Sequence, residues 1–169
     1  YYASMILWPL GYAYVLLVDE YGVDDLGVKE IKAWGDRLYE SSESKKVKWI
    51  GGGRFLKGPD RAGLKAAAYS IWGNATGNEE ALRKGYWYFH HAMKTVGRGG
   101  KDIYWGKDAK IRKMKKTLKY VGMTTGPALY AAYALSLSGV DDVFEEAPKG
   151  GNIKEGMAWL IKRAKETKN

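Results

Sequence analysis

Apolar residues in this chain recur every three or four positions, inside stretches bracketed by Asn, Asp, Pro or Gly. That spacing narrows the fold more than any other feature, because it is the period of a helix that buries one face. From Asn78 to Gly97 the pattern is clearest. Leu82, Phe89, Met93 and Val96 share a face, with Tyr86 nearby, Asn78 is placed to cap the first turn, and Gly97 to end the helix. A helix over Ala3 to Val18, broken or kinked near Pro9, is closed by Tyr21-Gly22. Asp24 or Asp25 then caps a helix running to about Ser41, with Leu26, Ile31, Trp34 and Leu38 inward and Lys29, Glu30, Lys32 and Arg37 in solvent. Pro59-Asp60 opens a helix that passes through Ala66-Ala67-Ala68 to about Ala75. Another starts at Thr124 or Thr125 and ends at Ser138, with Pro127 in its first turn and Gly139 beyond it. Ile153, Met157, Leu160, Ile161 and Ala164 mark the last.

The connections are Gly-rich. Residues 41 to 59 form a long loop with a short extended piece at Val47 to Ile50, and further loops follow Gly97 and Asp141. No segment alternates as a strand would. The expected architecture is therefore all-α, a single domain over residues 1–169 built from antiparallel helical hairpins.

Composition removes several function classes. The chain has no cysteine, which excludes thiolate metal sites, thiol nucleophiles and disulfides. Its two histidines, His90 and His91, are too few for a multi-histidine metal centre, and no cofactor is expected. The Gly51-Gly52-Gly53-Arg54 run lacks the spacing and the Lys-Ser/Thr of a phosphate loop. The net charge of +9 favours an anionic partner: an acidic polysaccharide, nucleic acid or an anionic membrane surface. Seven Trp and thirteen Tyr against three Phe favour rings with a polar tip, which suit sugar stacking as well as a core.

The apolar opening, Tyr1 to Val18, contains Pro9 and Gly11 and stops at Asp19-Glu20. It reads as a buried core helix, with neither the length of a membrane span nor the basic start of a signal peptide.

Three ordered segments carry a resemblance. The first is Ala13 to Leu17 followed by Ile31-Lys32-Ala33-Trp34-Gly35-Asp36-Arg37-Leu38. The second is Ala67-Ala68-Tyr69-Ser70-Ile71-Trp72 followed by Asn78-Glu79-Glu80-Ala81-Leu82. The third runs from Arg112 through Tyr120 to Gly126-Pro127-Ala128-Leu129, then Ser138-Gly139-Val140-Asp141 and the closing Ile153 to Leu160. In this order they resemble the alginate lyases with an (α/α) toroid fold, polysaccharide lyase family five and its relatives. The resemblance covers most of the chain, which has about half the usual length of that family. It implies an incomplete (α/α) toroid lacking an N-terminal part, and a protein acting in the periplasm or outside the cell.

It also implies a chemistry, the β-elimination of an anionic uronate polymer. Such a reaction removes the C5 proton, stabilises the enolate-like carboxylate and protonates the departing C4 oxygen. A tyrosine suits both proton transfers, since a phenol donates when neutral and accepts when a cation lowers its pKa. Tyr120 matches the family's catalytic tyrosine, and Lys113 matches its catalytic arginine, with Arg112 adjacent and Lys116 close by. Where the family carries an Asn-Asn-His motif this chain has Arg61-Ala62-Gly63, so Arg61 is the candidate to neutralise the substrate carboxylate. Tyr104 and Trp105 beside the basic stretch are candidate sugar-stacking rings. Residue types alone leave other readings open. Tyr120 also suits a half-buried ring beside a solvated basic face, and the same scaffold without the Asn-His pair suits a non-catalytic glycan-binding or assembly module. The seven cations from Lys107 to Lys119 suit single-stranded nucleic acid as a third reading, although no recognised nucleic-acid module is present.

Overall fold

The computed structural model describes residues 2–43, 59–101 and 111–166. Its elements are six α-helices and one short 3-10 turn, with no strand among the described residues. The helices are α1 (Tyr2–Tyr21), α2 (Leu26–Glu43), α3 (Pro59–Thr76), α4 (Glu79–Met93), α5 (Ile111–Leu137) and α6 (Ile153–Glu166). The all-α expectation is met.

Helix α3 sits at the centre, packed on α1, α4 and α5. Its sequence makes this possible. Ala62, Leu64, Ala66 to Tyr69, Ile71 and Trp72 are all buried, so the helix is apolar on nearly every side and must be covered all round. Ala62 and Ala66 join a core with Phe89, Ala92 and Met93 of α4 and Ala128, Ala131, Ala132 and Leu135 of α5. Ala68, Tyr69 and Trp72 join another with Leu7 and Tyr14 of α1 and Val28 and Tyr39 of α2. Trp72 is wholly buried beside Gly35, where a Cβ would overlap its ring, and its indole N–H donates to Asp36 at 3.1 Å. A glycine at 35 is thus the condition for burying the largest side chain in the core.

Residue pairs fix the directions. Gly63 faces Thr124, Ala67 and Ile71 pack with Ala134, and Asn74 accepts from Ser138 at 2.8 Å, so α3 and α5 run parallel. Gly85 meets Ser70 and Tyr88 meets Lys65, so α4 runs against α3. Asp36 meets Trp72 and Ser42 meets Tyr69, so α2 does as well. Gly156 meets Thr125 and Gly122 meets Leu160, so α6 runs against α5.

Several expected boundaries shift. Asp25 caps α2, accepting from the Val28 N–H at 3.1 Å, and Asn78 caps α4, accepting from Ala81 at 3.0 Å. The buried face of α2 is Val28, Gly35 and Tyr39, whereas the expected inward residues Leu26 and Trp34 are exposed. The helix expected from Thr124 extends back to Ile111 and passes straight through Pro127. A mid-helix proline costs ~3 kcal/mol of hydrogen bonding and sterics. Here Val121, Thr124, Thr125 and Ala128 are buried on both sides of it, and that packing offsets the cost. Helix α1 likewise continues through Pro9. It ends past Val18, at Tyr21, and α4 stops at Met93, short of Gly97. Among the described residues, α1 is the one helix long and apolar enough to cross a membrane by length and composition. The expected buried core helix is buried along one face only. Ser4, Leu7, Gly11 and Tyr14 are inside, with Leu7 and Tyr14 in the core and Gly11 against α3, whereas Met5, Ile6, Val15 and Leu16 are exposed. At 20 residues it is also longer than the expected run. The expected extended piece at Val47 to Ile50 lies outside the described residues.

Candidate functional site

Because α3 and α5 are parallel, their N-terminal ends lie at the same end of the molecule. The contact that sets their register is Gly63 on Thr124, where a Cβ at position 63 would strike the Thr124 carbonyl oxygen. Tyr120 is one turn before Thr124 and accepts from its hydroxyl through the backbone carbonyl, at 2.9 Å. That places Tyr120 level with the first turn of α3, which carries Arg61. Tyr120 is half-buried and Arg61 is exposed. Arg112, Lys113 and Lys116 occupy the first two turns of α5, at this same end. Their side chains, and Tyr104 and Trp105 entirely, lie outside the described residues.

The electrostatics of this end follow from sequence and direction. Helix α5 holds Arg112, Lys113, Lys115, Lys116 and Lys119 and no acidic residue along its whole length. The positive ends of the α3 and α5 backbone dipoles add to those cations. An anionic group is therefore favoured here.

Of Arg61, Ala62 and Gly63, the last two are buried. Arg61 is the one member of that trio with a side chain able to meet a ligand. Lys65, one turn on, lies on the same side of α3 as Arg61, the side turned away from the Gly63 contact with α5. Its ammonium donates to the Tyr88 hydroxyl at 3.1 Å and the Ser42 carbonyl at 3.3 Å, and lies over the Tyr88 and Tyr69 rings. This knits α2, α3 and α4 together on the side of α3 that meets those helices.

The aromatic run Tyr86 to His91 is divided by helical phase. Phe89 is wholly buried, while Tyr86 and Trp87 are each 39% exposed, so Tyr86 is not the core residue its spacing suggests. His90 pairs through Nδ1 with Glu146, and Tyr86 lies near enough to the same carboxylate to feel its charge. Burial first, then the charge of Glu146, raises the Tyr86 phenol above its ordinary value of 10.0. His91 stacks on Trp87 at 4.3 Å between ring centres, and burial, Lys94 and His90 lower it below 6.5.

A further aromatic group went unnoticed at the level of sequence. Trp8 and Tyr12 of α1 meet Tyr130 of α5, with ring centres 5.0 Å and 6.4 Å apart, and Tyr133 lies close enough to Tyr12 to affect its ionisation. The signal available was the i, i+3 and i, i+4 spacing of rings on an otherwise apolar helix, which reads equally well as core. Only the packing shows that Tyr12, Tyr130 and Tyr133 remain 39%, 46% and 54% exposed. Among the described residues no group of three or more His, Asp or Glu is arranged to hold a metal ion. No family model, no curated protein and no solved structure matches this chain.

Proposed function

We propose that the chain binds an acidic uronate polysaccharide and cleaves it by β-elimination at the end where α3 and α5 begin. The observation that carries this reading is the parallel register set by Gly63 and Thr124, which brings the turn of Tyr120 beside the turn of Arg61. In the reaction Tyr120 takes the C5 proton. The electron pair left on carbon forms the C4–C5 double bond, the C4–O bond breaks, and the departing oxygen takes a proton back from the Tyr120 hydroxyl. Lys113, Arg112 or Arg61 neutralises the carboxylate on which charge develops, and Lys116 adds to the field. Arg61 supplies the flat, two-pronged donor that a carboxylate prefers; a lysine at 113 supplies charge without that geometry. The directions of the helices also support the toroid reading. Helices α3 and α5 run parallel and α2, α4 and α6 run against them, an alternation that consecutive helical hairpins of an incomplete (α/α) toroid would share. Acidic polysaccharides of this kind are met outside the cytoplasm, and the proposal places the protein in the periplasm or beyond the cell.

A second reading is favoured by one observation. With Ala62 and Gly63 buried, nothing replaces the Asn-His pair that assists proton removal in the family. On that reading the same end binds acidic glycan without cleaving it.

Incubation with alginate and with glucuronan, followed by the ultraviolet absorbance of unsaturated uronate, separates the two. Cleavage is expected, and Tyr120→Phe should lower turnover by roughly a hundredfold or more while binding persists, the usual effect of deleting a general acid–base. A flat trace on every acidic glycan retires the lyase reading, and salt-sensitive retention without product selects the binding module. Retention of single-stranded DNA in preference to acidic glycans selects a nucleic-acid function.

A further inference from the structure

One face of α5 runs from the proposed site to the far end of the helix. Lys119, Gly126, Tyr130, Tyr133 and Leu137 follow one another at seven, four, three and four residues, which keeps them on a single stripe. Lys119, Tyr130, Tyr133 and Leu137 are exposed, and at Gly126 a Cβ would meet nothing within 4 Å. The stripe is thus a cation, then an open smooth stretch, then two rings. Beside the rings, across the alanines and Ile71 of α3, lie Trp8 and Tyr12 of α1. Tyr130 is ten residues from Tyr120, about 15 Å along the helix at 1.5 Å per residue.

We propose that this α1–α5 face is an extended part of the glycan site, a track on which successive sugar units of an acidic polymer lie against Tyr130, Tyr133, Tyr12 and Trp8. The inference rests on the reading of the α3–α5 end as an acidic-glycan site, and it adds a second binding region to it. Three features select this occupant. Tyr12, Tyr130 and Tyr133 are partly exposed rings with polar tips, matching the C–H and hydroxyl faces of a pyranose. Helix α5 carries no acidic residue, and α1 carries none before Asp19, so a polyanion lying there meets no carboxylate from either helix. The track is also continuous with Lys119 and the cationic end. Burial and the neighbouring phenols Tyr130 and Tyr133 raise the Tyr12 hydroxyl above 10.0, so its tip is a neutral hydrogen-bonding group at ordinary pH.

The test is binding of purified oligouronates of three and of six or more units to the whole chain carrying Tyr120→Phe, followed by Trp fluorescence and calorimetry. The longer chain should bind roughly tenfold or more tightly than the trimer, a difference of about 1.4 kcal/mol. Tyr130→Ala with Tyr133→Ala should remove that advantage and leave trimer affinity unchanged. Gly126→Glu, placed in open space where it cannot disturb packing, should do the same by charge alone. Equal loss for both lengths, an undiminished length advantage, or a change from dimer to monomer in the double variant would each overturn the track. If the protein binds and cleaves glycan while the variants keep the length advantage, the track alone fails. If it binds no acidic glycan of any length, the functional reading beneath it fails too.

Discussion

Gly63 of α3 lies against the backbone carbonyl of Thr124 in α5, closer than any side chain at position 63 would allow. The two helices that carry Arg61 and Tyr120 owe their register to that missing methyl group. Gly63→Ala should therefore destabilise the protein by about 1–3 kcal/mol through overpacking. Gly126→Ala on the same pair of helices meets open space, and should stabilise by about 0.5–1 kcal/mol through helix propensity. Urea denaturation of both variants checks the pair. Equal effects would mean that the close approach at Gly63 does not exist in solution.

The start of α4 depends on one side chain. Asn78 accepts from the Ala81 N–H at 3.0 Å, and Glu79 and Glu80 complement the helix dipole just after it. Asn78→Ala should cost about 1 kcal/mol, and Asn78→Gly only a few tenths. Thermal melts of the two variants would show whether the amide or the backbone conformation is what matters.

Lys65 ties three helices together through its ammonium. It donates to the Ser42 carbonyl of α2 and the Tyr88 hydroxyl of α4 from a position on α3. Lys65→Met keeps the aliphatic stem and deletes the charge, and should cost about 1–2 kcal/mol in hydrogen bonding and cation–π contact. Because this residue faces away from the α5 cations, oligouronate affinity should stay within twofold of the parent, about 0.4 kcal/mol. A large loss of affinity would move Lys65 into the binding site.

His91 gives the molecule a pH dependence of definite sign. Burial, followed by the charges of Lys94 and His90, lowers its folded pKa below 6.5. Between that folded value and 6.5 the unfolded chain binds a proton that the folded chain does not. Its contribution to stability is thus complete above pH 6.5 and is lost as the pH falls toward the folded pKa. Denaturation midpoints measured from pH 7.5 down to 5 should decline, and His91→Gln should flatten the part of the decline that belongs to this residue. An NMR titration placing the His91 midpoint above 6.5 would reverse the assignment.

Much of the scaffold was legible in the residues alone. The all-α class, the Asn78 cap, the buried face of Phe89, Met93 and Val96, and the start of α3 at Pro59 all follow from local rules. Those rules depend on period and capping chemistry, which act within a few residues of one another. They failed where packing overruled propensity. Pro127 reads as a helix start, yet α5 runs through it because the residues around it are buried against neighbouring helices. Leu26 and Trp34 read as core, yet Gly35 and Val28 face inward, because Trp72 needs the room that only Gly35 leaves.

The candidate site divides in the same way. Charge, the scarcity of metal ligands and the basic run around Tyr120 are properties of composition and order along the chain. The pairing of the Arg61 turn with the Tyr120 turn, the Glu146 contact of His90, and the ring cluster of Trp8, Tyr12, Tyr130 and Tyr133 join residues about 60 to 120 positions apart. No local period encodes such contacts. They arise because helices with small residues at chosen points can approach closely in one register, and only the assembled packing reveals which register that is.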